Sequence, residues 1–262
     1  MKQGTVTVLG SGTSMGVPTI GCDCAVCHST DPRDRRLRPS VMLEWAGHRI
    51  LIDSGPDFRE QAIREQIDRL DAVVYTHGHA DHILGLDDLR PLTYPRTTGG
   101  ARVPLYASPD TADILRSVFK YIFDDDYKYG GIAKVELREI SGRFELSGLC
   151  MIPVPVLHGD LEIFGYRAGR FAYLTDFSEI PESSMAMLAG VEVLFLDALR
   201  DQPHPTHSTI ENSLQIAARI GAAQTYFTHM SHNVPHEATS KTLPPGVMLA
   251  YDGLRVEVDL ES

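Results

Sequence analysis

Residues 4–9, Gly4-Thr5-Val6-Thr7-Val8-Leu9, alternate polar and apolar side chains with the period of a strand. Residues 41–45 and 49–52 then read as a hairpin, with Ala46-Gly47-His48 in its turn and Asp53 at its exit. Residues 57–70 change to helical spacing with helix-forming side chains and lead into an apolar strand at 72–76. A helix start is expected within 83–93, a strand at 104–107 and a helix over 109–123, with Pro109 near its first turn. Strand-like runs resume from Val135. Residues 210–220 predict an amphipathic helix closed by Gly221, and residues 254–258 are again strand-like.

One regularity cuts across these elements: six short, mostly apolar runs each end in His or Asp. They are Ile50-Leu51-Ile52-Asp53, Val73-Val74-Tyr75-Thr76-His77, Val154-Pro155-Val156-Leu157-His158, Ala172-Tyr173-Leu174-Thr175-Asp176, Val193-Leu194-Phe195-Leu196-Asp197 and Tyr226-Phe227-Thr228-His229. Side chains delivered from the ends of several buried strands converge at one rim of the sheets. The densest cluster follows the second run, where His77, His79, Asp81 and His82 fall within six consecutive positions. Packing does not explain such a cluster. Neutral imidazole and carboxylate are suitable donors for Zn²⁺, Mn²⁺ or Fe, so the pattern predicts a metal site.

Length and charge narrow the picture. The 262 residues suit one large α/β domain or two small ones, and no linker divides the chain, which favours a single domain over 1–262. Lys and Arg number 24 against 35 Asp and Glu, a formal charge of -11 that disfavours general nucleic-acid binding. The N-terminus lacks the apolar core of a signal peptide, and no run of roughly 18 apolar residues predicts a membrane span. Cys22, Cys24 and Cys27 are clustered and Cys150 is isolated, which does not resemble a disulfide framework, so a reducing cytoplasm is the expected location.

Three stretches invite alternative readings. Gly10-Ser11-Gly12-Thr13-Ser14-Met15-Gly16 follows a strand, but its third glycine comes one place late for a dinucleotide fingerprint and Pro18 follows, so it is read as a structural turn. Arg33 to Arg38 is a basic segment expected at the surface. Residues 123–131, rich in acidic, aromatic and glycine residues, read either as a solvated loop or as a wall over the site.

The His77-x-His79-x-Asp81-His82 motif after a strand resembles that of the metallo-β-lactamase superfamily. The resemblance extends to Asp53, His158, Asp176 and His229. It implies a four-layered αββα sandwich with a dinuclear site at one rim of the sheets. By that likeness His77, His79 and His158 hold one divalent ion, Zn or Mn, and Asp81, His82 and His229 the other, with Asp176 between them and Asp53 orienting a ligand.

Gly10 through Cys27 further resembles the N-terminal motif of the phosphoribosyl cyclic phosphodiesterases of phosphonate breakdown. There, three cysteines and a late histidine bind a structural zinc; the matching residues are Cys22, Cys24, Cys27 and His232. Three thiolates and an imidazole make a closed tetrahedral site, the alternative being thiols without metal. His207 aligns with a proton donor to the leaving group, with His204 as its local rival. Asp197 is read as an orienting partner of a ligand imidazole or a strand-end cap. His236, in Pro235-His236-Glu237-Ala238-Thr239, resembles part of a transfer-RNA processing motif but is misplaced for it, directly after the last ligand histidine.

The resemblance therefore implies a metal-dependent phosphodiester hydrolase acting on a small cyclic phosphate, such as a ribosyl cyclic phosphate or cyclic nucleotide, through a hydroxide held by two metals. Two divalent ions with these two carboxylates and the hydroxide leave a net charge of about +1, enough to attract a small anionic substrate despite the acidic surface. A homodimer is left open. The competing expectations are a non-phosphate hydrolase, a protein resembling the pyrroloquinoline-quinone biosynthesis protein, and a metal-binding protein without turnover.

Overall fold

The computed structural model describes residues 3–94, 99–124 and 126–261. Its strands form two seven-stranded sheets. The first contains β1 (Gln3–Gly10), β2 (Ser40–Trp45), β3 (His48–Ile52), β4 (Ala72–Val74), β5 (Val103–Ala107), β6 (Val135–Glu139) and β14 (Arg255–Asp259), in the order β14-β1-β2-β3-β4-β5-β6. The second contains β7 (Phe144–Leu146), β8 (Leu149–His158), β9 (Leu161–Ala168), β10 (Phe171–Leu174), β11 (Val193–Asp197), β12 (Gln224–Thr228) and β13 (Val247–Leu249), in the order β13-β12-β11-β10-β9-β8-β7. Each sheet is antiparallel through its hairpins and becomes parallel beyond β3 and β10.

The period of two along these strands sets the layers. Ile50, Ile52, Ala72, Val74, Tyr173 and Phe195 point into a core shared by the two sheets. Their neighbours Leu51 and Val73 face a second core with helices α1 (Phe58–Arg64) and α3 (Pro109–Val118). Leu174, Leu194 and Leu196 face a third with α5 (Glu182–Met187) and α6 (Ile210–Ile220). Strands buried on both faces need helices outside them, which gives the αββα sandwich that the resemblance implies. Among the described residues no helix is long and apolar enough to cross a membrane.

Several expectations shift. The helix read over 57–70 ends at Arg64, because Gln66 adopts φ 53° and the Gln66 and Ile67 amides donate to the Ile63 and Ala62 carbonyls. This is a Schellman stop built on glutamine, with no glycine to announce it. After the His/Asp cluster, α2 (Ala80–Ile83) starts inside the motif, and a 3₁₀ helix covers Leu86–Thr93. The 109–123 helix breaks at Phe119 into α3 and α4 (Lys120–Phe123). In the acidic stretch that follows, Asp125 lies outside the described residues. The basic segment is not all surface: Arg36 is 1% exposed, pairs with Asp34 and donates to the Ser231 and Val234 carbonyls, pinning the segment that carries His232.

Candidate metal centre

In each sheet the parallel strands end at a common edge. In the first, β3 exits into Asp53 and β4 into Thr76 and His77. In the second, β8, β10, β11 and β12 deliver His158, Asp176, Asp197 and His229. Asp53, Asp176 and His229 take φ values of 63°, 57° and 59°, the left-handed region, which costs of order 1–3 kcal/mol per residue and clusters at functional sites. Space at the rim is tight. A Cβ on Gly55 would lie 2.0 Å from the Asp81 carbonyl oxygen, so glycine lets the loop after β3 run against α2. There the Ser54 amide donates to the His82 carbonyl.

Two groups of donors result. The ligand-capable atoms of His77, His79 and His158 lie within 4.8 Å of one another, and so do those of Asp81, His82, Asp176 and His229. All are buried except His79. Their orientation is fixed from behind. The Asp53 carboxylate accepts from the Thr76 amide and hydroxyl at 2.8 Å each and faces His82 Nδ1 at 2.7 Å, which turns His82 Nε2 toward Asp176. The Thr76 hydroxyl is also 3.0 Å from His77 Nδ1. His158 Nδ1 donates to the Thr206 carbonyl at 2.8 Å, leaving its Nε2 as the lone-pair nitrogen.

Electrostatics divide the imidazoles. Burial, reinforced by the neighbouring histidines, pushes His77 and His158 down, so both are neutral at pH 7. Burial would also lower His82 and His229, but the surrounding carboxylates outweigh it, lifting His82 well above its ordinary value and His229 to about 10. Burial opposes ionisation of Asp81 and Asp176 as well, yet these imidazoles hold both carboxyls below the usual range. His229 Nε2 approaches Asp176 Oδ1 to 2.7 Å and His82 Nε2 approaches Asp176 Oδ2 to 2.5 Å. Even so, these four buried atoms meet no partner at hydrogen-bonding angles. Buried imidazole and carboxylate atoms crowded together without hydrogen-bond geometry fit divalent cations, which would take the place of the shared protons.

His207 stands beside both groups. Its ring stacks on His229 at 4.8 Å and 17° and meets His158 edge-on at 4.8 Å, while its Nδ1 lies 2.8 Å from Asp197 Oδ2. Asp197 Oδ1 also lies 3.8 Å from His229 Nδ1, as expected of a partner to a ligand imidazole, but its pairing with His207 was not readable from the chain. It needs the loop after β11 to fold back over ten residues. His204 lies one shell out, its ring 5.0 Å from that of His207. His236 opens α7 (His236–Ser240), packs against Tyr251 and joins none of the donor groups.

A further group lies apart. His232 Nδ1 is 3.1 Å from Cys22 Sγ, 3.7 Å from Cys24 Sγ and 3.5 Å from Cys27 Sγ. The Cys27 and Thr19 amides point at the Cys24 and Cys27 sulfurs. The first of these bonds draws the Cys24 thiol below its ordinary value, whereas burial pushes Cys27 up to about 11. Three thiols and an imidazole are a donor set that could hold a metal ion, and its chemistry suits zinc.

Residues 48–230 match the model of the β-lactamase superfamily domain, and the chain belongs to that superfamily. Within it, the chain is similar to a diphosphatase of the PhnP family known from a crystal structure, with 62% identity, a TM-score of 0.94 and 98% of each chain covered. It is also similar to Zn²⁺-bound PqqB from Methylobacterium extorquens, with 22% identity, a TM-score of 0.75 and coverage of 96% of this chain and 99% of that one. An octanoyltransferase from Porphyromonas gingivalis is 40% identical over 257 residues, 96% of this chain but 51% of the relative, so the chain spans about half that protein's length.

Proposed function

We propose that the protein is a phosphodiester hydrolase of a small, cyclic phosphate such as a ribosyl cyclic phosphate or cyclic nucleotide, working with two divalent ions. His77, His79 and His158 would hold one ion and Asp81, His82 and His229 the other, with Asp176 shared; Zn and Mn both suit these donors. Cys22, Cys24, Cys27 and His232 would hold a structural zinc. The observation that carries the reading is the convergence of these donors from strand ends of both sheets around a buried rim that His207 faces.

Divalent ions in such a centre supply Lewis acidity toward a phosphoryl oxygen and lower the pKa of a coordinated water to about 7. The chain's own residues do the rest. Asp53 and Thr76 fix the His82 and His77 rings, and the Thr206 carbonyl fixes His158. Asp197 accepts a hydrogen bond from His207 Nδ1, which fixes the ring, and a proton carried on Nε2 would be the one that passes to the departing oxygen. The diphosphatase relative favours a second reading, a substrate with two linked phosphoryl groups.

The test is metal analysis of the purified protein coupled to a hydrolysis panel: an aryl phosphodiester, an aryl diphosphate, ribosyl cyclic phosphates, 2′,3′-cyclic nucleotides, a thioester and a β-lactam. Turnover confined to the phosphate compounds is expected. Turnover of the thioester or the β-lactam alone would overturn the reading.

A further inference from the structure

A pocket of about 330 Å³ opens at the outer edge of the second sheet, between α7 and the turn that leads into β14. β13 supplies Val247, Met248 and Leu249, β12 supplies Tyr226, and Tyr251 and Leu254 come from the turn. His236 and Ser240 of α7 complete the lining. Pockets for whole small molecules start near 300 Å³, so this one has room for a molecule of about one or two rings. None of its lining residues belongs to the His/Asp rim or the cysteine cluster.

His236 is 4% exposed and its ring meets that of Tyr251 edge-on at 5.9 Å. Its Nδ1 is buried with no hydrogen-bond partner, and among the described residues Nε2 makes no bond either. A neutral imidazole has one donor and one acceptor nitrogen, so both capacities are unused, a state that buried polar groups seldom tolerate. Burial, with Arg33 and Arg36 nearby, holds this ring well below its ordinary pKa, and it is neutral at pH 7. Those arginines are themselves paired, Arg33 with Asp31 and Glu237, Arg36 with Asp34.

The pocket is also free of charge: no Asp, Glu, Lys or Arg lines it. The Tyr226 hydroxyl donates to Gln224 Oε1, and among the described residues the Ser240 and Tyr251 hydroxyls make no hydrogen bond. Two tyrosine rings, a thioether and uncharged groups that donate or accept match a flat neutral ring bearing a hydroxyl. A charged guest would lose its hydration there with no opposite charge to meet. We infer that this pocket is a binding site for a small neutral phenol-type molecule of one or two rings, lying against Tyr226, Met248 and Tyr251 with its hydroxyl on His236. The site does not depend on the chemistry of the rim.

The test uses the full chain, zinc-loaded, at pH 7, with 2-naphthol as the probe and 2-naphthoate as its charged counterpart. Calorimetric titration of wild type should give one 2-naphthol site per chain with Kd of about 1 mM or below. 2-Naphthoate should bind at least about tenfold more weakly. His236→Phe keeps the ring volume and removes both nitrogens, so 2-naphthol affinity should fall about three- to tenfold. Ser240→Trp, at the half-buried end of α7, fills the pocket and should abolish binding. Circular dichroism checks that each variant is folded, and either folded variant decides the matter alone. No saturable 2-naphthol binding by wild type, unchanged affinity in a folded variant, or 2-naphthoate binding as tightly as 2-naphthol would overturn the site.

Discussion

The His/Asp rim and the cysteine cluster are assembled by opposite means. Donors at the rim come from positions as far apart as His77 and His229 and meet only when both sheets have formed. Three of its residues, counting the supporting Asp53, sit in left-handed backbone, and its imidazoles are aimed by Asp53, Thr76 and the Thr206 carbonyl. The cysteine cluster takes three donors from one short loop and a fourth, His232, from beyond β12. Its four donors would be enough for a tetrahedral set, whereas the rim has a further histidine, His207, beside its donors. Strained backbone and a spare histidine suit a place for chemistry; a donor set with no spare member suits a staple between two chain segments.

The comparison breaks most visibly at Asp81. Asp81→Ala should lower turnover of a phosphodiester by roughly 10³-fold or more, the equivalent of several kcal/mol of charge stabilisation, while circular dichroism and Tm show a folded protein. His207→Gln keeps the donor groups and removes the proton-bearing ring. It should cost about 10²- to 10⁴-fold in kcat with metal content unchanged, most for substrates with poor leaving groups.

Cys24→Ser tests the other side. It should lose about one zinc per chain and lower Tm by roughly 5–15 °C, because binding at a site absent from the unfolded chain is folding free energy. A Tm equal to that of wild type would reject the staple.

The smallest effect concerns the segment leading away from the staple. Burial, aided by Arg33 and Arg36, pushes His236 down to about 4 from an ordinary 6.5. The unfolded chain therefore takes up this proton first. The stability His236 contributes is complete above pH 6.5 and is lost as pH falls toward 4. His236→Phe should narrow the Tm gap between pH 7 and pH 5 by a few degrees, read as the difference between the two proteins by calorimetry.

How much of this could be read from the chain depended on the range of the signal. The His77 to His82 cluster and the six His or Asp strand ends were visible because strands are short and their termini abrupt. The doubly buried strands were visible as continuous apolar runs such as Val193-Leu194-Phe195-Leu196. The stop after Arg64 was hidden because glutamine occupies the left-handed position that glycine usually marks. Arg36 was hidden because its partners are backbone carbonyls nearly two hundred residues away. The Asp197 to His207 contact depends on how one loop folds back, and no local pattern encodes that.

The most direct test is zinc and manganese content together with bis(4-nitrophenyl) phosphate turnover, measured on the same preparations of wild type, Asp81→Ala and Cys24→Ser. The account predicts a double separation: Asp81→Ala loses turnover and rim metal but keeps the cysteine-bound zinc, and Cys24→Ser loses that zinc but keeps rim metal and measurable turnover. Full turnover by Asp81→Ala, or loss of the same metal in both variants, would contradict it.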